Sequence, residues 1–234
     1  MNMQYASVLM VGVLSVAYWV SGAIAESSGQ SPPNRPQTIL IGIDLSVSNP
    51  LTKDPEFALR VAQRIEPIIA GLPPRSKVML RSFGSYDTGS SSALTLDVTI
   101  APKTARAHDI SVLVAGAIAN VPKMVKEGRI RPQGMTNIVP FLMNMSRVLN
   151  CNASSTHVIL ATDGVEDSEV ANLARKNSKL PEPAVAPFPG CDELQMLGIG
   201  RGLNSPADTE RLVSEWRSWS QKAGFRNFQG LNDW

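Results

Sequence analysis

Along most of the chain, short continuous runs of apolar residues alternate with longer segments in which apolar residues recur at helical spacing. Continuous runs, which are typical of strands buried on both faces, occur at residues 38–43, 157–161 and 194–200. Between these runs, apolar residues recur every three or four positions, which indicates amphipathic helices. This alternation predicts an α/β domain in which helices cover both faces of a mostly parallel sheet.

Shorter patterns predict the remaining elements. Asp54 and Pro55 are typical of a helix start, and an apolar face follows them down to Ile69. Residues 77–83 and 93–100 lie close enough along the chain to form a hairpin, so the second of them is predicted to be an antiparallel edge strand. Further helices are expected over 110–121, from residue 138 onward, over 166–176 and over 208–224, with a short sixth strand near Phe228.

The first 37 residues differ in composition from the rest. Residues 6–25 carry no charge, and Ala23-Ile24-Ala25 has the small-x-small form of a signal-peptidase site. We therefore predict a signal peptide over residues 1–25, with an uncleaved membrane anchor as the alternative because the run is long enough to span a bilayer. Residues 26–37 are predicted to be a flexible linker. Residues 38–234 then form one domain outside the cytoplasm, secreted or periplasmic, and tethered to a membrane only where the leader is retained.

Bulk composition limits the possible partners. The chain is 43% hydrophobic and 18% charged, which is enough apolar residue to build a core, and its net charge is only +2. Charged residues form no basic block or stripe, so nucleic acid is not an expected partner. The two cysteines, Cys151 and Cys191, suit an oxidising compartment. Each follows a predicted helix and precedes a predicted strand, so we expect a disulfide bond at the sheet edge where those strands begin; two buried free thiols are the alternative.

Polar residues with alternating spacing follow the first predicted strand. Asp44, Ser46 and Ser48 fall on one side of an extended segment, so one carboxylate and two hydroxyls can converge on a single point. Hard oxygen ligands of low total charge suit Mg²⁺. The D-x-S-x-S pattern is short enough to arise by chance, and its interpretation therefore depends on other segments.

Two later segments complete a recognisable set. Gly134-Met135-Thr136-Asn137 opens an apolar helical stretch, and Thr162-Asp163-Gly164 follows the strand at 157–161. In this order, D-x-S-x-S, G-x-T-N and T-D-G resemble the metal-ion-dependent adhesion site (MIDAS) of von Willebrand factor type A (vWA) domains, over residues 37–234. The resemblance implies a Rossmann-like vWA fold: a mostly parallel central sheet with one antiparallel edge strand, and helices on both faces.

The resemblance also implies a ligand set and a function. Ser46, Ser48 and Thr136 would offer hydroxyls to the metal, and Asp44 and Asp163 would bind it directly or through water. Two carboxylates and three hydroxyls favour Mg²⁺ or Mn²⁺ over the larger Ca²⁺. In the family, a further position accepts an acidic side chain of a partner protein. The expected function is therefore an extracytoplasmic protein-binding module, not an enzyme, whose partner presents an Asp or a Glu to the cation.

Two other functions are alternatives to a protein-binding module. In one, the chain is a structural subunit of an envelope complex, and its metal only orders the loops. In the other, it is a metal-dependent phosphohydrolase of the haloacid dehalogenase type, a family that carries D-x-D-x-T/V after its first strand. Ser46 stands here in place of the second Asp and cannot protonate a leaving group, which argues against the enzyme.

Overall fold

A single sheet of six strands forms the centre of the domain. The computed structural model describes residues 35–85 and 94–234; the predicted signal peptide, and the predicted linker up to residue 34, lie outside these residues. The strand order is β3-β2-β1-β4-β5-β6, and within the described residues only β3 runs antiparallel to its neighbour. The strands are β1 (Gln37–Asp44), β2 (Lys77–Phe83), β3 (Thr95–Thr99), β4 (Ser155–Ala161), β5 (Glu193–Leu197) and β6 (Asn227–Leu231). The predicted fold class is confirmed, including the antiparallel edge strand.

Helices cover both faces of this sheet. They are α1 (Pro55–Ala70), α2 (Ala107–Ala119), α3 (Val121–Lys126), α4 (Ile138–Met145) and α5 (Pro206–Ala223), with one 3-10 turn at Pro50–Thr52. Buried residues of α1, α2 and α3 form one hydrophobic core with the sheet, and those of α4 and α5 form a second core on the opposite face. No helix in the described part of the chain is long and apolar enough to cross a membrane.

The central strand β1 joins the two cores. Ile39, Ile41 and Ile43 belong to the core under α1, whereas Leu40 belongs to the core under α4. Both faces are buried because β1 pairs with β2 on one side and β4 on the other, and helices lie above and below. This burial explains why the first strand is a continuous apolar run instead of an alternating one.

Gly42 in β1 packs closely against side chains of β4 and α4. A Cβ atom at this position would lie 2.5 Å from Cδ2 of Leu160 and 2.9 Å from Cε1 of Phe141. We expect Gly42→Ala to lower the free energy of unfolding by about 1–3 kcal/mol, because added volume in a packed core forces neighbours out of their rotamers. Urea unfolding measures the change.

Gly116 in α2 offers a matched control for that substitution. A Cβ atom there would meet nothing within 4 Å. Gly116→Ala should therefore raise stability by about 0.5–1 kcal/mol, through helix propensity and a less flexible unfolded chain. Equal effects of the two substitutions would contradict the close approach of α4 at Gly42.

The prediction of a helix over residues 166–176 is wrong. The structure has an irregular loop there, in which the backbone of Asp167 pairs with the backbone of Thr136 in both directions at 3.0 Å. The side chain of Asp167 accepts a hydrogen bond from Asn172 Nδ2 at 2.7 Å. The backbone of Asp167 is therefore paired with a distant segment, and local turns satisfy other polar groups of residues 166–176 without forming a helix. The helix begun at residue 138 is also shorter than its apolar stripe indicates, since it ends at Met145 instead of continuing to Leu149.

A disulfide bond joins Cys151 and Cys191, as predicted, with their Cα atoms 4.8 Å apart. Cys151 precedes β4 and Cys191 precedes β5, so the bond lies where these neighbouring parallel strands begin. The carboxyl ends of the strands, including Asp44 at the end of β1, lie at the opposite edge of the sheet. The disulfide bond and the predicted metal ligands therefore lie at opposite ends of the parallel strands.

Candidate metal centre

The segment after β1 continues in an extended form beyond the end of the strand. Leu45 N donates to the carbonyl of Phe83 at 2.9 Å, which prolongs the pairing of β1 with β2. Asp44 and Ser46 are buried, whereas Ser48 is exposed. The three polar residues therefore run from the interior to the surface at the carboxyl edge of the sheet.

The carboxylate of Asp44 is fully buried and accepts hydrogen bonds on both oxygens. Oδ1 accepts from Ser46 N at 2.8 Å, and Oδ2 accepts from Thr162 Oγ1 at 2.7 Å. Asn49 fixes the surrounding backbone, because its Nδ2 donates to the carbonyls of Asp44 at 2.7 Å and Ala161 at 3.1 Å. These contacts join the carboxyl ends of β1 and β4 and hold Asp44 in one orientation.

Asp163 lies directly after β4 and reaches the same place. Its Oδ1 accepts from Val165 N at 2.9 Å, and the Ser48 hydroxyl lowers the pKa of its carboxyl group. The hydroxyl oxygens of Ser48 and Ser46 are 3.2 Å apart, and the Ser46 hydroxyl lowers the pKa of Asp44. Four of the five predicted ligands therefore lie together at the carboxyl ends of β1 and β4.

Thr136, the fifth predicted ligand, is held beside these residues by its backbone. Val47 N donates to the Gln133 carbonyl at 2.8 Å, and Gln133 N donates to the Leu45 carbonyl at 2.9 Å, so the turn before Thr136 pairs with the segment after β1. On its other side, Thr136 pairs with Asp167 in the loop that follows Asp163. Thr136 itself is buried. The turn thus lies between the two acidic segments.

Glu166 is a functional neighbour that the sequence analysis missed. Its buried carboxylate accepts from Val139 N at 2.9 Å, and also from the Ser168 hydroxyl and from the backbone of Ile138. Glu166 thereby caps the first turn of α4, the helix that begins directly after the Thr136 turn. No local pattern signals this role, because the acceptor and the donor lie 27 residues apart.

Burial raises the pKa values of both aspartates, and electrostatic repulsion from Asp163 raises that of Asp44 further. Burial, followed by the charge of Asp163, raises the pKa of Asp44 from 3.8 to about 7. Burial also raises the pKa of Asp163, an effect opposed by the hydrogen bonds from Val165 and Ser48 and by the charge of Lys53. Two buried carboxylates that disfavour each other's ionised form, with three hydroxyl-bearing residues around them, fit a small divalent cation.

This oxygen-rich set contains only two carboxylates. Among residues 35–85 and 94–234, no cluster of three or more His, Cys, Asp or Glu side chains could hold a metal. Any cation at the carboxyl edge must therefore be bound largely by hydroxyl groups and water, a chemistry that suits Mg²⁺ or Mn²⁺ better than a transition metal that prefers nitrogen or sulfur. The five ligands remain a prediction.

Stability of the metal-free protein should fall as pH rises from about 4 to about 7. The pKa of Asp44 rises from 3.8 to about 7 on folding, and burial raises that of Glu166 from 4.5 to about 7, so the folded state binds protons more tightly in this range. Mg²⁺ bound at Asp44 would compete with the proton on that carboxylate, so its stabilising effect should grow over the same range. Urea unfolding with EDTA or with Mg²⁺ at several pH values measures both trends.

Three other carboxyl groups make stability increase with pH, and they do so at lower pH values. The pKa values of Asp109, Glu182 and Asp233 are lowered, so their contribution to stability is lost only as the solution becomes more acidic than their ordinary range. A metal-free stability that rises steadily between about pH 4 and about pH 7 would contradict the assigned environments of Asp44 and Glu166.

An open groove of about 880 Å³ begins at Ser48 and runs toward the start of α5. Two basic residues, Lys53 and Arg201, and two acidic residues, Asp54 and Glu210, line it. The guanidinium of Arg201 lies 4.8 Å from the ring centroid of Phe57, and its Nη1 donates to the Asn232 carbonyl at 3.3 Å. These contacts, together with an ion pair to Asp233 Oδ1 at 3.4 Å, hold Arg201 at the rim of the groove.

Helix α5 is connected to the loop that carries Asp163. Trp216 Nε1 donates to the Gly164 carbonyl at 2.7 Å, and the Trp216 side chain is fully buried. Gly164 has a positive φ of 75°, and a Cβ there would lie 2.8 Å from Cγ1 of Ile199. The residue after Asp163 is therefore restricted to glycine by both its backbone conformation and the space around it.

Comparison with known proteins gives distant structural matches only. No protein-family model matches the sequence, and no curated protein matches it. Two crystal structures of the pilus adhesin SpaC from Lactobacillus rhamnosus GG match 85% of this chain, at 15% and 16% identity with TM-scores of 0.46 and 0.48. The human COPII-coat protein Sec24c matches 86% of it, at 13% identity with a TM-score of 0.42.

These matches cover only part of the other proteins. The chain spans 28% of the length of SpaC in each structure and 30% of the length of Sec24c. At such identities and TM-scores, neither a ligand nor an activity can be transferred. The chain is thus similar in part to an adhesin and to a coat protein, and its function has to be argued from its own residues.

Proposed function

We propose that this chain is an extracytoplasmic protein-binding module that holds Mg²⁺ through Asp44, Ser46, Ser48, Thr136 and Asp163. The proposal depends on one observation: the buried carboxylate of Asp44, which accepts from Ser46 N, lies close to the hydroxyls of Ser46 and Ser48 and to Asp163. Buried charges in proteins are paired or coordinate metals, and neither aspartate forms a salt bridge among the described residues. The disulfide bond supports an oxidising location.

The partner is proposed to be a protein that presents an Asp or a Glu. When bound, the cation would supply an electrophilic position for that carboxylate. Ser48 lies at the start of the groove, so the surface end of the ligand set opens toward a partner. Lys53, in the same groove, would attract an acidic segment, whereas Asp54 and Glu210 would limit how that segment approaches. Of the carboxylates at this end of the sheet, those of Asp44 and Asp163 are buried, whereas Asp54 and Glu210 line the groove.

A Mn²⁺ titration tests metal binding and carboxylate capture together. Paramagnetic Mn²⁺ that keeps exchangeable water on the protein enhances water-proton relaxation. We expect saturable enhancement by the purified protein and a decrease when a glutamate-containing peptide is added, because its carboxylate displaces water. The matched peptide with glutamine in place of glutamate should leave the enhancement unchanged.

Other results would favour the alternative functions. Enhancement that the glutamate peptide does not change, together with a metal-dependent rise in melting temperature, would indicate a structural subunit. Metal-dependent hydrolysis of p-nitrophenyl phosphate that is lost in Asp44→Asn would indicate a phosphohydrolase. Absence of enhancement would overturn the metal site itself.

A further inference from the structure

A second groove, of about 500 Å³, lies between the start of α1 and helix α3. Three exposed lysines line it, Lys53 before α1 and Lys123 and Lys126 on α3. Folding brings them together from two distant segments of the chain. None of the described residues that line the groove is acidic. This surface, called the lysine groove below, therefore has a positive charge that no local run of basic residues would indicate.

Most of this charge is not neutralised within the domain. Lys123 Nζ lies 3.9 Å from Glu127 Oε1, but both side chains are exposed, so the pair contributes little. Neither Lys53 nor Lys126 forms a salt bridge in the described part of the chain. Neighbouring charges of one sign repel each other, and a bound anion relieves that repulsion. The lysine groove therefore favours a negatively charged ligand.

The remaining lining of the lysine groove is mainly apolar. It includes Pro55, Ala119, Pro122 and Val125. Pro55 is the first residue of α1 and Pro122 the second of α3, and their rings fix the backbone where these helices begin. Helix α3 also packs against α1 and against the 3-10 turn Pro50–Thr52. The groove is thus preformed, which lowers the cost of binding, and its apolar surface suits the side chains of a peptide better than a simple inorganic anion.

The lysine groove continues from the candidate metal centre. Lys53 lines both this groove and the one that begins at Ser48, and its charge also acts on Asp163. Asp54 and Glu210 line only the groove that runs toward α5. An acidic chain that leaves the cation beside Ser48 therefore meets less negative charge on the way to α3 than on the way to α5.

We propose that the lysine groove binds an extended acidic segment of the partner protein, beyond the residue that reaches the cation. The carboxylates of this segment meet Lys53, Lys123 and Lys126, and its apolar side chains lie against Pro122 and Val125. The inference rests on the proposed function in one respect, namely that the same partner presents a carboxylate to the cation. A polypeptide is favoured over an anionic membrane because the lysines line a concave groove, which admits a chain more readily than a flat surface.

A fluorescein-labelled hexapeptide of alternating glutamate and valine is a suitable probe. We expect a saturable rise in its anisotropy on addition of the purified protein in EDTA, where the cation makes no contribution. The matched peptide with glutamine in place of glutamate should bind at least ~10-fold more weakly. Raising the NaCl concentration should weaken the binding of the glutamate peptide, because salt screens exposed charges.

Reversal of one lysine tests the location of the site. Lys126→Glu should weaken binding of the glutamate peptide at least ~5-fold. Lys103→Glu is the matched control, since Lys103 is also exposed and the substitution changes the net charge equally. Lys103 follows β3, whose end at Thr99 pairs with Lys77 at the start of β2, so it lies at the opposite end of the sheet. Lys126→Gln, with a smaller expected effect, replaces Lys126→Glu if that variant does not fold.

Three results would overturn the proposal. They are equal binding of the two peptides, equal effects of Lys126→Glu and Lys103→Glu, and binding to phosphatidylglycerol vesicles without binding to the peptide, which would indicate a lipid surface. Added Mg²⁺ separates this proposal from the function proposed above. Peptide binding in EDTA that Lys126→Glu weakens and Mg²⁺ leaves unchanged would support the lysine groove and contradict carboxylate capture by the cation.

Discussion

Asp44→Asn is expected to abolish Mg²⁺-dependent stabilisation while leaving the fold intact. Asparagine has nearly the same shape and can still accept the hydrogen bond that Ser46 N gives to Asp44 at 2.8 Å. Its NH₂ group can donate to the hydroxyl of Thr162, which now donates to Asp44 Oδ2. The substitution also removes a buried charge whose ionised form is disfavoured by burial and by Asp163. Metal-free Asp44→Asn should therefore equal or exceed the wild type in stability above neutral pH.

Thermal unfolding in EDTA and in Mg²⁺ measures both halves of this expectation. Wild-type protein should show a higher melting temperature with Mg²⁺, and Asp44→Asn should show none of this increase. Asp109→Asn is the matched control, since Asp109 is an exposed carboxylate paired with Arg106. A variant Asp44→Asn that keeps the Mg²⁺ effect would contradict the proposed ligand set. A large loss of metal-free stability would show that the Asp44 charge is needed by the fold itself.

Replacing Cys151 and Cys191 with serine should lower the free energy of unfolding by about 4 kcal/mol. The bond closes a loop between residues 40 positions apart, and the chain-entropy model gives this value for a loop of that length. Domains of ordinary stability unfold with about 5–15 kcal/mol, so the loss would be a large fraction of the total. Urea unfolding of the oxidised wild type and the double variant measures it.

The position of the disulfide bond allows a sharper comparison. Because the bond lies at the sheet edge opposite Asp44, the folded double variant should bind Mg²⁺ with unchanged affinity. Each single variant should lose about as much stability as the double variant, since either one opens the loop. A loss below about 1 kcal/mol would show that residual structure already restrains the unfolded chain.

The sequence predicted the fold because its local patterns and its tertiary contacts agree. Asp54 caps α1 with its Oδ1, which accepts from the backbones of Glu56 and Phe57, as the Asp-Pro start of that helix predicts. The strand β2 has its predicted bounds, Lys77–Phe83, and its antiparallel partner β3 is shorter than predicted by a few residues. In these elements, propensity, spacing and burial favour the same structure.

The surroundings of the site could be predicted less well. Alternation predicted that Asp44, Ser46 and Ser48 lie together, and the structure brings them to Asp163. Asn49 donates to a carbonyl 112 residues away in sequence, and a periodic pattern carries no trace of such a contact. The helix predicted over 166–176 failed for the same reason, since Glu166 and the backbone of Asp167 are engaged by the segment around α4.

The hydrogen bond from Trp216 to Gly164 has an optical consequence. Indole emission is sensitive to hydrogen bonding and to nearby dipoles, and this indole is bound directly to the loop that carries Asp163. Trp219 lies in an edge-on arrangement with its centroid 5.7 Å away, at the same helix face. The domain therefore contains an intrinsic fluorophore next to the loop that carries Asp163. Rapid-mixing fluorescence can follow events at that loop in real time without an attached dye.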